Sequence, residues 1–119
     1  MIELKFKTER LKDHLDHLQK RYEANQPPEY MGDKHFFLEM KESTQPIYDL
    51  LEEWEKQALA FIKQRKINVH PHQIRSTKEN MELLILHSYY VDTRKKRYME
   101  LNQSSHYIFD QLLRDIQSQ

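Results

Sequence analysis

Seven histidines are the side chains of this sequence best suited to chemistry, because imidazole binds metal ions and transfers protons near neutral pH. His14 and His17 stand three residues apart, interleaved with Asp13 and Asp16, so a helix would present them within reach of one ion. A complete site needs further ligands from a second helix, and this spacing supplies none. We therefore favour a solvated polar face over a metal site here.

The segment His70-Pro71-His72 is the second candidate for metal binding. Its position at a predicted helix start favours a capping role instead, because the first amides of a helix have no partners within the helix. The other histidines are isolated in sequence: His35, His87 and His106. A di-iron bundle enzyme would need Glu-x-x-His motifs on two helices, and none occurs in the chain. We predict neither a bound metal nor another cofactor.

The strongest cluster of charge is formed by Arg94, Lys95, Lys96 and Arg97, which Tyr98 follows. This basic cluster could hold a phosphate or a nucleic-acid backbone, with the tyrosine ring available for stacking. In a structural explanation, the four cations lie in the last turn of the third helix and complement the negative end of its dipole. The chain carries 19 basic and 19 acidic residues. This balance favours the structural explanation and argues against nucleic acid as the partner.

Asn80, His87 and Arg94 recur every seven residues along the flank of the predicted third helix. Such a polar seam predicts a buried hydrogen-bond network that fixes helix register, or else the lining of a small pocket. We favour the network. The seam and the basic cluster together give these candidate binding residues: Asn80, His87, Arg94, Lys95, Lys96 and Arg97.

Other catalytic motifs are excluded by composition. The chain has no cysteine, which removes thiol nucleophiles, zinc–thiolate sites and disulfides. With a single glycine it holds neither a Gly-x-Ser-x-Gly elbow nor a phosphate-cradling loop. We therefore predict no catalytic residue and lean towards a protein without enzymatic activity.

The elements that carry these residues are predicted to be helices. A β-rich domain of 119 residues would need many glycine-containing turns, and the chain has one glycine and four prolines. The length fits one domain over residues 1–119. No apolar run approaches the roughly 18 residues that span a bilayer, and the charged start lacks the apolar core of a signal peptide. We expect a cytoplasmic protein with no membrane partner.

Apolar residues at helical spacing predict where the first two segments lie. The first runs from about residue 8, or from an earlier residue, to residue 24. Ile2 and Phe6 fall off its apolar stripe, so the start of the chain is either extended or part of a second apolar surface. Asp33 is the predicted N-cap of the second segment. That segment carries Phe36, Phe37 and Met40 before a stop and restart near residues 43–46.

The third segment is predicted to begin at Pro71 and to end near residue 96. It is apolar on two sides, because Leu83, Leu86 and Tyr90 lie opposite its main stripe, which suggests a central or covered helix. Asn102 or Ser104 is the predicted cap of the last segment. The predicted fold is an all-α, antiparallel up-and-down four-helix bundle whose second segment is split or kinked near residues 43–46.

A family resemblance is carried by an ordered set of residues: Phe36-Phe37, Trp54-x3-Ala58-Leu59-x2-Ile62-Lys63, Val69-His70-x2-Gln73-Ile74-x3-Lys78-x-Asn80, Leu84-x-Leu86-x-Ser88-Tyr89 and Lys95-Lys96-Arg97. With this set, the chain from about residue 22 to its C-terminus resembles the YppE-like proteins of Bacillus, Staphylococcus and related Firmicutes. The first twenty residues and Glu42 depart from the pattern. The resemblance implies a cytoplasmic four-helix bundle and supplies no activity, substrate or catalytic residue.

Three functions remain open from sequence. The leading hypothesis is a non-catalytic interaction module that binds a protein partner or itself, because surplus apolar surface on a bundle often marks an interface. The second is a metal-dependent bundle enzyme that uses the histidines. The third is a phosphate or nucleic-acid binder that uses the basic cluster at the end of the third helix.

Overall fold

The computed structural model describes residues 1–119 and contains four α-helices and no strand. They are α1 (Ile2–Ala24), α2 (Lys34–Lys63), α3 (Pro71–Tyr90) and α4 (Lys95–Gln117). Short connections join successive helices, so neighbours in sequence pack side by side as an up-and-down bundle. The predicted all-α four-helix fold is confirmed. None of the four helices carries an apolar stretch long enough to cross a bilayer.

The predicted helix starts at Asp33 and Pro71 are both observed, and Asp33 caps α2 as predicted, whereas the Gln73 side chain supplies the bond at the start of α3. The Asp33 carboxylate accepts hydrogen bonds from the backbone N–H groups of His35 and Phe36, at 2.9 and 3.2 Å. Pro71 is the first residue of α3, and the Gln73 side-chain oxygen accepts from the backbone N–H of His70 at 2.9 Å. Both arrangements give partners to amides that the helix itself leaves unpaired.

The first two helices are longer than the sequence pattern indicates. α1 begins at Ile2, so the chain start is helical and the off-stripe residues Ile2 and Phe6 form exposed apolar surface. α2 continues without interruption through Pro46, which excludes a split near residues 43–46, while the alternative of a kink stays a prediction. Two residues before the proline, the Thr44 hydroxyl donates to the Met40 carbonyl at 2.8 Å. The helix therefore tolerates an internal proline that local rules place in a first turn.

The junction between α3 and α4 corrects two predictions. α3 ends at Tyr90, because Val91 adopts the left-handed conformation (φ 52°, ψ 46°) and its N–H bonds to the His87 carbonyl at 2.8 Å. α4 then begins at Lys95, before the predicted caps. Asn102 is buried inside α4, where its amide faces Gln19 at 3.5 Å, and Ser104 is also internal.

α1 and α3 occupy the centre of the bundle, and each contacts the other three helices. The backbones of α2 and α4 lie at opposite corners and do not meet. Side chains bridge the distance between α2 and α4: the Trp54 and Phe109 rings pack edge to face with centroids 5.2 Å apart. The core therefore depends on two aromatic residues that come from helices without backbone contact.

Candidate functional site

The histidines do not converge. No group of three or more His, Asp or Glu side chains is placed to hold one metal ion. Three rings instead face single carboxylates, in the pairs His35–Glu39 (2.9 Å), His87–Asp92 (2.7 Å) and His106–Asp16 (3.2 Å). The structure therefore offers no set of metal ligands that would support a metal-dependent enzyme.

His14 is a partly buried histidine of α1. Burial lowers the pKa of His14 from the usual 6.5, and the nearby Arg10 and His17 side chains lower it further, while Asp13 opposes them. The imidazole therefore stays neutral at a pH where a free histidine gains its charge. Since burial is the largest cause, this lowered pKa reflects the packing of His14 beside the buried face of α1.

The basic cluster lies at the N-terminal end of α4, whereas the prediction placed it at the C-terminal end of the third helix. Arg94 precedes α4 and the other three residues form its first turn, so the cations stand at the positive end of a dipole. All four side chains are exposed, and Arg97 alone has an ionic partner, Glu100, at 3.9 Å. Dipole complementarity therefore does not explain the cluster, and the structural explanation offered from sequence was wrong.

The polar seam of Asn80, His87 and Arg94 does not form a network. No hydrogen bond joins the three residues, and Arg94 lies outside α3. His87 bonds through Nδ1 to Asp92, just beyond its own helix, at 2.7 Å. The candidate binding residues thus divide into separate places, and a shared site is not present.

A groove between α2 and α3 is a concave site that sequence reasoning missed. Its volume is about 400 Å³. The residues that line this α2/α3 groove are Phe37, Met40, Lys41, Thr44, Gln45, Tyr48, Asp49 and Glu52 from α2, and Lys78, Glu82 and Leu86 from α3. The lining positions of α2 recur every three or four residues, so they form one stripe along the helix.

One end of the α2/α3 groove is apolar. Phe37 and Leu86 contribute half-exposed side chains, 43% and 40% accessible, beside the buried Met40. The preceding residue, Phe36, packs edge to face against Tyr90 with centroids 5.3 Å apart. That contact anchors the start of α2 to the end of α3 and holds Phe37 at the rim.

The other end of the groove is acidic. Asp49, Glu52 and Glu82 line it, and none of the three forms an ion pair. Burial raises the pKa of Tyr48 from the usual 10.0, and the Glu82 carboxylate raises it further. Tyr48 therefore remains a neutral phenol that can donate a hydrogen bond.

The α2/α3 groove combines half-exposed apolar side chains with carboxylates that form no ion pair, hydroxyl groups and two lysines. The sequence carried part of the signal, because Leu86 falls on the side of α3 opposite its main stripe. What no pattern along one helix reveals is that Leu86 and Phe37 share a groove, since that depends on how α2 and α3 are aligned.

Comparison with known proteins decides the family. A family model described as a bacterial domain of unknown function (DUF1798) matches residues 8–116. The chain belongs to the DUF1798 family. The YppE-like resemblance inferred from sequence is therefore confirmed, and the match includes much of α1, which that resemblance left out.

Two solved structures show the same fold as this DUF1798 chain. The crystal structure of protein yppE from Bacillus subtilis is 28% identical, with a TM-score of 0.84 over 98% of this chain and 94% of that one. Its solution NMR structure aligns at 24% identity, with a TM-score of 0.82 over 99% and 95%. Among curated proteins, none matches this chain.

Proposed function

We propose that this protein is a non-catalytic protein-interaction module of the cytoplasm, and that the α2/α3 groove contacts its partner. The observation that carries the proposal is the pairing of Phe37 and Leu86, two half-exposed apolar side chains on neighbouring helices at the rim of one groove. Apolar surface gathered at a concave site is typical of binding sites, whereas single exposed apolar residues are common everywhere. The cytoplasmic location is the one that the YppE-like resemblance implies.

The outer face of α3 supports this proposal. Leu83 and Leu86 lie three residues apart and are 39% and 40% exposed, so α3 presents apolar surface outside its contacts with the other helices. This is the second apolar side of the helix that the sequence pattern indicates. Apolar side chains exposed to water lack the favourable free energy of burial, and a bound partner would supply it by covering them.

The test is site-specific photo-cross-linking in cells that naturally produce the protein. p-Benzoylphenylalanine replaces Phe37 in one variant and Tyr107 in a matched control, because Tyr107 is an aromatic residue on α4 that is 61% exposed. We expect a discrete adduct from position 37 and none of that mass from position 107. Adding Leu86→Asp to the first variant should abolish the adduct while the circular dichroism spectrum stays helical.

The size of the adduct tells a second copy of this chain from another protein, and either result supports an interaction module. Equal labelling from positions 37 and 107 would contradict the proposal. So would an adduct that persists when Leu86 is replaced, because the groove would then play no part in the contact.

A further inference from the structure

We infer that the segment bound in the α2/α3 groove is an amphipathic α-helix of a partner protein, with lysine or arginine placed one to two turns beyond its apolar anchors. This inference rests on the proposed function and adds the chemistry of the partner. Three properties of the groove support it: the length of the groove, the order of its side chains and its charge.

The length of the groove suits a helix. Its α2 side extends from Phe37 to Glu52, which at about 1.5 Å of rise per residue is roughly 22 Å. Its α3 side consists of Lys78, Glu82 and Leu86, which step by four residues along one face. Two neighbouring helices with an open seam between them form the surface that accepts an amphipathic helix in helix-in-groove recognition.

The antiparallel packing of α2 and α3 sets the order of side chains along the groove. Phe36 lies beside Tyr90 at one end, and Lys78 approaches Glu55 within 3.9 Å at the other. Between these two contacts, Leu86 lies towards Phe37. Glu82 lies towards Tyr48, Asp49 and Glu52. A ligand that follows the groove therefore meets an apolar part first and an acidic part next.

The charge of the groove selects a basic ligand. Asp49, Glu52 and Glu82 form no ion pair, and Asp49 accepts a single hydrogen bond, from Gln45 at 2.9 Å. The lining also holds two lysines: Lys78 lies 3.9 Å from Glu55, and the Lys41 ammonium lies 5.9 Å from the Phe37 ring centroid, at the apolar end. With three carboxylates against two lysines the lining is negative, and cations of a partner would add specificity and speed association.

The experiment is a ¹⁵N NMR titration of the full chain with two designed peptides. Each has about 18 residues and leucines at helical spacing, since roughly 15 residues match the groove. One carries lysines one to two turns beyond the leucines on the same face, and the other carries glutamates there. We expect the lysine peptide to shift the amide resonances of groove residues and the glutamate peptide to bind about tenfold or more weakly.

Charge reversal within the protein gives the matched control. Glu82→Lys should weaken binding of the lysine peptide and strengthen that of the glutamate peptide. Glu100→Lys makes the same change on exposed α4, outside the groove, and should leave both unchanged. Each variant is first checked for a spectrum with native dispersion. Equal binding of the two peptides, no binding of either, or shifts that map away from the groove would overturn the inference.

The cross-linking and NMR results can contradict the basic-helix inference without contradicting the proposed function. A cross-link at position 37 to a partner segment that is acidic or extended would overturn the basic-helix inference and leave the interaction module standing. Groove resonances that move when the protein alone is diluted would assign the groove to a second copy of this chain, and would also overturn the inference. Absence of the cross-link would remove the function itself.

Discussion

The indole N–H of Trp54 donates a hydrogen bond to the Thr8 hydroxyl at 3.0 Å, and the same hydroxyl donates to the Leu4 carbonyl at 2.7 Å. Both side chains are fully buried, on α2 and α1. A threonine inside a helix commonly returns its proton to the preceding turn, which leaves its lone pairs free to accept. The largest side chain of the core therefore has its one polar atom satisfied.

Replacing Thr8 by valine should destabilise the protein by about 1–3 kcal/mol, because the change leaves the buried Trp54 N–H without an acceptor. Thr77 offers the matched control, since its buried hydroxyl also donates to the preceding turn, at 2.7 Å, but accepts nothing. Thr77→Val should cost clearly less. Urea unfolding followed by tryptophan fluorescence gives both free energies, and equal losses would refute the role of this hydrogen bond.

Asp115 ties the last helix to the connection between α2 and α3. Its buried carboxylate accepts from the backbone N–H groups of Asn68 and Val69 at 3.1 and 3.2 Å, and from the Asn68 side-chain amide at 2.9 Å. Asp115→Ala should lower the free energy of unfolding by about 2–3 kcal/mol, because two backbone donors lose a charged acceptor.

Asp110 supplies the control for this prediction. It lies on the same helix and pairs with Lys12 at 2.5 Å, but both partners are partly exposed. Asp110→Ala should therefore cost less than about 1 kcal/mol, as is usual for surface ion pairs. Faster hydrogen exchange at the amides of Asn68 and Val69 in the first variant alone would locate the effect.

Tyr98 should make the protein sensitive to high pH. It is fully buried, and this burial raises the pKa of Tyr98 from 10.0 to about 12, against the lowering effect of its hydrogen bond to Ser88. Because the folded pKa lies above the unfolded one, the contribution is complete below pH 10 and is lost as the pH rises towards 12. The loss should reach about 2–3 kcal/mol.

Tyr98→Phe should flatten this decline, although it also breaks the 2.6 Å Ser88–Tyr98 hydrogen bond and so lowers stability at neutral pH. Tyr107→Phe, at an exposed position, should leave the decline intact. Urea midpoints measured from about pH 9 to about pH 11 test both expectations. An unchanged slope in the Tyr98 variant would show that this phenol is not the group that titrates.

The position of the basic cluster predicts that an acidic residue there stabilises α4. Lys96→Glu removes a cation from the first turn and supplies an anion, which together should add about 0.5–1 kcal/mol. Lys63 stands in the last turn of α2, so Lys63→Glu should have the opposite sign. Thermal unfolding at low and high salt measures both effects, and salt should shrink them. A destabilised Lys96 variant would contradict the helix end assigned here.

Helical periodicity predicted most of the core correctly. The stripe of α1, from Leu11 through Leu15 and Leu18 to Tyr22, is buried as expected, because a face that recurs every three to four residues can be read from one segment alone. Pro71 and Asp33 mark helix starts for the same local reason. These features need no knowledge of the other helices.

The errors arise where a local rule is overridden. α3 ends at Tyr90, and the residue after it, Val91, is β-branched and left-handed, where glycine or asparagine would be the usual signal. The charged residues that follow fit a continuing helix, so the sequence pattern extends α3 to about residue 96. Pro46 predicted a split or a kink in the second segment, and the uninterrupted helix excludes only the split. The groove could not be predicted from sequence, because the alignment of Phe37 with Leu86 depends on how two helices pack together.

The edge-to-face contact between Trp54 and Phe109 bears on when the chain can fold during synthesis. A ribosome releases α1, α2 and α3 before the segment that carries Phe109, and at that stage the indole of Trp54 lacks its neighbour from α4. The connection before α3 likewise lacks Asp115. We expect the nascent chain to stay loosely collapsed until α4 leaves the exit tunnel and supplies Phe109 and Asp115.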